Sequence, residues 1–246
     1  MSAISWTFPH LPAAQRSVTV ALFPSLEPAQ TTASDLRNKL ISIATASPDT
    51  YPNLDEEREN YNFAFLDARL ITSERHLRTG VHQALLAVAR GQANEGVEGG
   101  MKTKTANSEI LFALHPSGNI GESIRKFGIS ATTTAMLVLR VGPVAPSAES
   151  ILSKMQAILP NQKVADLCVD GVSTLDAQLG ALTSWKEVES VYKLGKDMET
   201  LFGGSVKGRK SVSAEDTEKC AEEQLARQRW LEQIVTSMCA MKPVAA

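Results

Sequence analysis

The stretch that decides the fold runs from Met101 to Val141 and reads MKTKTANSEILFALHPSGNIGESIRKFGISATTTAMLVLRV. Its apolar run from Ser108 to Leu114 predicts an interior strand, because apolar side chains then fall on both faces of an extended chain. The run from Ala135 to Val141 has the same pattern and predicts a second strand. With the helix expected between the two runs, the stretch predicts a unit of strand, helix and strand.

The helix between the two runs has clear start and stop signals. Asn119 can cap it, Glu122 stands at its third position as in a capping box, and Gly128 ends it. We expect the protein to cover one apolar face of this helix, formed by Ile120, Ile124 and Phe127. Arg125 and Lys126 then lie beside the covered face and stay free to meet solvent or a partner.

Length and composition limit the class of protein. A chain of 246 residues with 43% apolar residues suits a single domain over residues 1–246. A net charge of -2 argues against a general polyanion binder, so any contact with nucleic acid must come from a local patch. No apolar run approaches the ~20 residues of a membrane span, and no signal peptide is visible. We therefore expect a soluble intracellular protein without membrane contact.

The rest of the chain alternates strand and helix patterns. Predicted strands are Ser17 to Phe23, Tyr61 to Leu66 and Val164 to Val172. Predicted helices are Thr31 to Ala46, Asp67 to Arg90, Ala148 to Leu159, Ser184 to Leu194 with a capping box, and Ala214 to Met241. Residues 1–16 and Ser47 to Glu59 are expected to be irregular, and residues 91–100 and 203–215 to be flexible insertions. The predicted fold class is α/β, with a mixed β-sheet, packed helices and a long C-terminal helix.

The candidate catalytic and metal-binding residues do not assemble into a site. Gly203 to Ser211 resembles a phosphate-binding loop, but Arg209 stands where lysine is needed and no strand precedes it. The histidines lack partners at ligand or triad spacing, and Cys168, Cys220 and Cys239 form no CxxC pair. We expect no catalytic residue, no metal, no cofactor and no enzyme activity. Glu109, an acid in an apolar run, is expected to pair with Lys102 or Lys104.

The deciding stretch contains a series of short motifs: Met101 to Thr105, Ser108 to Leu111, Pro116-Ser117, Asn119-Ile120 and Arg125 to Ser130. These motifs resemble those of the TPRKB family, in its fungal type. Members of this family are small non-catalytic subunits of the KEOPS (EKC) complex that bind the atypical kinase PRPK. Weaker similarity lies at Leu36 to Pro48, Phe65 to Ala68 and Val191 to Leu194.

The resemblance implies a function and two sets of site residues. The chain would be a regulatory subunit that binds and supports a PRPK-like kinase within a complex serving tRNA threonylcarbamoyladenosine modification and, by family, telomere maintenance. The implied kinase-binding residues lie on the last helix: Trp230, Leu231, Ile234, Val235 and Met238. Archaeal relatives are implicated in holding the tRNA 3' CCA end, and the matching residues here are Lys102, Lys104, Asn119, Ile120, Arg125 and Lys126. Gly118 departs from the arginine that archaeal members tend to carry at this position.

Two other functions stay open from the sequence. A stand-alone RNA-binding module is the alternative, although the near-neutral charge does not provide the broad basic face that such modules use. A small-molecule enzyme lacks the required constellation of side chains. The implied partners are the kinase, through it the other KEOPS/EKC subunits, and tRNA, with residence in nucleus and cytoplasm.

Overall fold

The computed structural model describes residues 3–47, 52–93, 100–202 and 214–245. In these residues a four-stranded sheet has the order β1-β2-β4-β3. Its strands are β1 (Ile4–Thr7), β2 (Ser17–Phe23), β3 (Ala64–Asp67) and β4 (Met136–Gly142), and each neighbouring pair is antiparallel. The ladder between β2 and β4 sets Ser17 opposite Gly142 and Phe23 opposite Met136. Every residue of β2 is buried, as expected for a strand covered on both faces.

Helices make up most of the remaining described chain. They are α1 (Ala29–Thr45), α2 (Leu54–Asn60), α3 (Glu74–Ala93), α4 (Ala106–Leu114), α5 (Ile120–Phe127), α6 (Ala148–Ile158), α7 (Leu175–Leu182), α8 (Trp185–Tyr192), α9 (Gly195–Phe202) and α10 (Ala214–Ala245). Short 3-10 turns lie at Ala13–Gln15 and Ala68–Leu70. A small antiparallel hairpin pairs β5 (Cys168–Val169) with β6 (Val172–Ser173). The α/β class and the long C-terminal helix are confirmed.

The two faces of the sheet support different helices. Val18, Val20 and Leu22 of β2 belong to the larger core, together with buried residues of α3, α4 and α10. The alternate residues Ala21 and Phe23 point to the other face and pack with residues of α1 and α6. The helices of the deciding stretch and the C-terminal helix therefore lie on the same side of the sheet.

The predicted strand from Ser108 to Leu114 is wrong, because this run forms α4. Thr105 caps the helix: its Oγ1 accepts from the Ser108 N–H at 3.1 Å, and the Ser108 hydroxyl lies 3.3 Å from the Thr105 nitrogen. All residues from 109 to 114 are buried. A helix buried on all sides shows the same uninterrupted apolar run as an interior strand, and only the cap distinguishes them. The deciding unit is therefore helix, helix and strand.

Other predicted boundaries also need correction. Residues 1–16 contain β1, which the sheet holds in place by burying Trp6. Part of the predicted loop at Ser47 to Glu59 forms α2, where acidic residues in the first turn favour a helix start. The segment from Val164 to Val172 has only β5 and one residue of β6 as strand, because a turn with positive φ at Asp170 and Gly171 separates them. Ser184 makes no side-chain cap, although it precedes α8 as predicted.

The predicted insertions fall mostly outside what the structure describes. Residues 94–99 and 203–213 lie outside the described residues, and with them the loop that resembles a phosphate-binding motif. In the described ranges, none of the helices has the length and apolar character needed to cross a membrane.

Candidate functional site

Glu109 organises the segment that carries Lys102 and Lys104. Its Oε2 accepts hydrogen bonds from the backbone N–H of Lys102 at 3.1 Å, from the N–H of Thr103 at 2.9 Å and from the Thr103 hydroxyl at 2.7 Å. The predicted ion pair between Glu109 and a lysine ammonium is wrong, because two backbone N–H groups and the Thr103 hydroxyl donate to the buried carboxylate instead. The segment is bent rather than extended, and both lysine side chains are exposed.

Asn119 starts α5 as the sequence predicted. Its Oδ1 accepts a hydrogen bond from the Glu122 N–H at 3.0 Å. At the other end of α5, the Gly128 N–H donates to the Ile124 carbonyl at 2.9 Å. The φ of Gly128 is -77°, which any residue can adopt. The glycine is needed for space, because a Cβ there would lie 2.4 Å from the Ile124 oxygen and 3.2 Å from Leu111 Cδ2. The end of α5 thus lies against Leu111 in the middle of α4.

The apolar face of α5 is covered only at one end. Phe127 is fully buried, whereas Ile120 is 36% exposed and Ile124 is 47% exposed. The expectation that all three are covered is therefore wrong for the first two, because the protein buries Ser123 and Phe127 of this helix instead. We use the name α5 surface for seven exposed residues, namely the N-cap, isoleucines and cations of α5 and the two lysines that precede α4: Lys102, Lys104, Asn119, Ile120, Ile124, Arg125 and Lys126.

Arg125 has a carboxylate partner that binds it only weakly. Arg125 lies 3.6 Å from Glu122 across one turn, and both side chains are largely exposed, so the pair is weak. Exposed cations beside apolar side chains can bind a phosphate backbone while bases rest on the apolar groups.

α10 presents two neighbouring stripes of apolar residues with different exposure. Leu231 and Val235 are 0% exposed and Cys239 is 2% exposed, and all three belong to the core. Trp230, Ile234 and Met238 are only partly buried and form the adjacent row at a spacing of four residues. We call this row the α10 stripe. The five predicted kinase-binding residues are thus not one surface: Leu231 and Val235 face the domain's own interior and cannot contact a partner directly.

Side-chain bonds fix the orientation of α10. Arg227 makes a bidentate pair with Glu189 of α8, with nitrogen–oxygen distances of 2.7 and 2.8 Å. The Gln83 amide of α3 donates to the Ala240 carbonyl at 3.1 Å. Trp230 meets Phe202 of α9 edge to face, with ring centroids 6.3 Å apart. The α10 stripe is therefore presented on a firmly held helix.

A buried polar network joins α10 to three other helices. The Thr72 N–H donates to His76 Nδ1 at 3.3 Å, so the His76 proton sits on Nε2, which donates to the Tyr192 hydroxyl at 3.1 Å. The Tyr192 hydroxyl then donates to the Leu114 carbonyl. Burial lowers the pKa of His76 to about 3, and it raises the pKa of Cys239, which lies beside Tyr192, to about 11. The network is therefore neutral at pH 7.

Lys242 escaped the sequence analysis, which considered His115 only as a histidine without partners and Ser117 only as part of a family motif. Lys242 continues the buried row of α10 three residues after Cys239. A lysine in this otherwise apolar row was the signal in the sequence that could have identified it. Its ammonium donates to carbonyls of the turn between α4 and α5. Across the described residues, no group of three or more histidine, cysteine or acidic side chains could hold a metal ion.

The fold defines a small α/β protein whose described residues include a partly buried apolar row on α10 and exposed cations at Lys102, Lys104, Arg125 and Lys126. The sequence model of the family described as kinase-binding protein CGI-121 matches residues 30–243. The chain belongs to this family, which confirms the resemblance found in its sequence.

Fungal relatives of known name are similar to the chain. The EKC/KEOPS complex subunit CGI121 of Cryptococcus neoformans is 24% identical over 217 residues, covering 78% of this chain and 87% of that protein. The subunit of the same name from Aspergillus fumigatus is 29% identical over 138 residues, covering 55% of this chain and 64% of that protein. That from Yarrowia lipolytica is 33% identical over 110 residues, covering 45% and 52%.

Proposed function

We propose that this chain is a regulatory, non-enzymatic subunit of a KEOPS/EKC complex and that it binds and supports a PRPK-like kinase. The observation that carries the proposal is the match of residues 30–243 to a kinase-binding family. The names of the fungal relatives, each a subunit of the EKC/KEOPS complex, support the same assignment. Through the kinase the chain contacts the other subunits and contributes to tRNA threonylcarbamoyladenosine modification and telomere maintenance, in nucleus and cytoplasm.

The α10 stripe is the surface we propose for the kinase. Trp230 and Met238 are residue types enriched in protein interfaces, and Met241, 58% exposed, extends the apolar row. Leu231 and Val235 support the stripe from beneath, because they anchor α10 in the core. A partly exposed aromatic residue at the centre of a rigid helix fits the features of a binding hot spot.

The α5 surface is proposed to hold the single-stranded 3' CCA end of tRNA. Single-stranded RNA is bound where cations meet the phosphates and apolar or aromatic groups support the bases. Lys102, Lys104, Arg125 and Lys126 supply the cations, while Ile120 and Ile124 supply exposed apolar area. The Glu109 carboxylate accepts from the backbone N–H groups of Lys102 and Thr103 and does not bind a lysine ammonium. Both ammonium groups are therefore available for phosphates, which supports the proposal.

The experiment for kinase binding is co-expression of the tagged chain with the PRPK-like kinase of the same organism, followed by size-exclusion chromatography with light scattering. We expect a one-to-one complex that survives 0.5 M salt, because the α10 stripe is mainly apolar. Separate elution of the two folded proteins would contradict the proposal.

A further inference from the structure

Lys242 lies at the end of α10 on the side that faces the domain. It follows the fully buried row of Leu231, Val235 and Cys239, so its long side chain reaches into the body of the protein rather than into solvent. Its ammonium lies over the Phe112 ring, 3.5 Å from the centroid. A charge in such a position is stable only when several hydrogen bonds replace its lost water.

Three backbone carbonyls provide these bonds. Lys242 Nζ donates to the Phe112 carbonyl, to the His115 carbonyl at 2.7 Å and to the Ser117 carbonyl at 3.0 Å. Phe112 lies in the last turn of α4, whose carbonyls carry partial negative charge, and its carbonyl also accepts from the His115 N–H at 3.3 Å. The lysine therefore caps the end of α4 and at the same time fixes the turn that follows.

Hydrogen bonds continue from this turn to the start of α5. The Ser117 hydroxyl lies 3.0 Å from His115 Nδ1 and accepts from the Asn119 N–H at 3.3 Å. Asn119 in turn caps α5 through the Glu122 N–H at 3.0 Å. A chain of bonds thus runs from the last turns of α10, through Ser117, to the N-cap of the α5 surface.

We propose that Lys242 is a positioning residue for RNA binding: by holding the turn from His115 to Ser117, it keeps Asn119 and the first turn of α5 in the conformation that receives the RNA end. This inference rests on the proposed RNA-binding function of the α5 surface. It adds that α10 has two roles, because its middle carries the proposed kinase stripe and its end supports the proposed RNA surface.

The protonation state of Lys242 gives the inference a pH signature. Burial lowers the pKa of Lys242 to about 8, while Cys239 on α10 and Glu109 on α4 act in the opposite direction. The other titratable group at the turn, His115, has a pKa lowered by its own burial, so it is neutral at pH 7. Between pH 7 and 9 the ammonium loses its charge and with it the strength of its bonds to the three carbonyls.

The test measures binding of a fluorescein-labelled single-stranded RNA ending in ACCA by anisotropy, for the wild type and Lys242→Met. Methionine keeps an unbranched, flexible side chain that is one atom shorter, and it removes the ammonium donors. Lys154→Met, on an exposed position of α6 at the other face of the sheet, is the matched control for lost charge. Hydrogen exchange of residues 115–122 reports the turn independently of RNA.

We expect Lys242→Met to weaken RNA binding roughly two- to thirtyfold, the range found when residues of a coupled network are changed. The slope of log affinity against log salt should stay the same, because Lys242 contacts carbonyls and not phosphate. Exchange over residues 115–122 should become faster. Wild-type affinity should fall from pH 7 to pH 9 more steeply than that of Lys242→Met, and Lys154→Met should behave as wild type.

Each contrary result has its own meaning. Faster exchange with unchanged RNA affinity would overturn the positioning role and leave RNA binding standing. A salt slope reduced by about 0.7 would mean that Lys242 contacts a phosphate directly, which also overturns it. Wild-type protein that does not bind the RNA at all would refute the proposed RNA function and the inference with it. If Lys242→Met fails to fold, Ser117→Ala cuts the next link of the chain, from the Ser117 hydroxyl to Asn119, and an unchanged affinity in that variant would refute the inference.

Discussion

The buried carboxylate of Glu109 holds Thr103 through two hydrogen bonds, at 2.9 Å to its N–H and 2.7 Å to its hydroxyl. We predict that Glu109→Ala lowers the free energy of unfolding by about 1–3 kcal/mol, because three buried or half-buried donors lose their acceptor. Hydrogen exchange of residues 101–105 should also become faster. Chemical denaturation of this variant and of Glu149→Gln, at an exposed position, measures the difference. Equal stability of both variants with the wild type would show that water replaces the carboxylate at no cost.

Lys102 and Lys104 are predicted to contribute to RNA affinity through phosphate contacts. Each change to alanine should lower affinity and reduce the slope of log affinity against log salt by about 0.7, the value for single-stranded nucleic acid. Anisotropy titrations at several salt concentrations measure both effects, with Lys154→Ala as the control. If the slope stays constant in both variants, these lysines are solvated and the α5 surface does not bind RNA through them.

Leu231 and Trp230 are neighbours in sequence, but we predict that substitutions at these two positions have different effects on folding. Leu231→Arg places a charge in the core beneath α10, so it should lower the free energy of unfolding by several kcal/mol or abolish folding. Trp230 is only partly buried, so Trp230→Ala should leave the fold intact. Circular dichroism with thermal melting measures the effect. A folded Leu231→Arg with normal stability would show that α10 does not pack as described.

His76 gives a pH dependence of stability. The unfolded chain protonates this histidine below about pH 6.5, whereas the folded protein keeps it neutral down to about pH 3. Stability from this group is therefore complete above pH 6.5 and decreases by about 1.4 kcal/mol per pH unit as the pH falls towards 3. Denaturant melts of wild type and His76→Gln at pH 7 and pH 5 should show a smaller pH effect in the variant. The same pH effect in both proteins would refute the assignment to His76.

Local signals in the sequence predicted much of this site. The Asn119 cap, the end of α5 at Gly128 and the strand β2 follow from residue types at fixed spacing, and the structure contains all three. The motifs of the deciding stretch also indicated the family that the comparison confirms. Signals of this kind depend on neighbours in sequence, which is why they can be interpreted without a structure.

Features that depend on tertiary packing could not be predicted. The run from Ser108 to Leu114 is apolar because α4 is enclosed on all sides, and periodicity cannot distinguish that case from an interior strand. The division of α10 into a buried row and a half-exposed row depends on how the helix is rotated against α3 and α4. The contact between Lys242 and the Ser117 carbonyl joins residues 125 positions apart, so no local pattern announces it.

The measurement that tests the central claim most directly is calorimetric titration of the purified PRPK-like kinase with the wild type, Trp230→Ala and Gln233→Ala. Gln233 is an exposed residue of the same helix and serves as the control. We predict one-to-one binding, a loss of roughly thirtyfold in affinity for Trp230→Ala, as for a hot-spot residue, and no change for Gln233→Ala. Unchanged affinity in a folded Trp230→Ala would remove the α10 stripe from the interface, and a kinase that does not bind the wild type would contradict the proposed function itself.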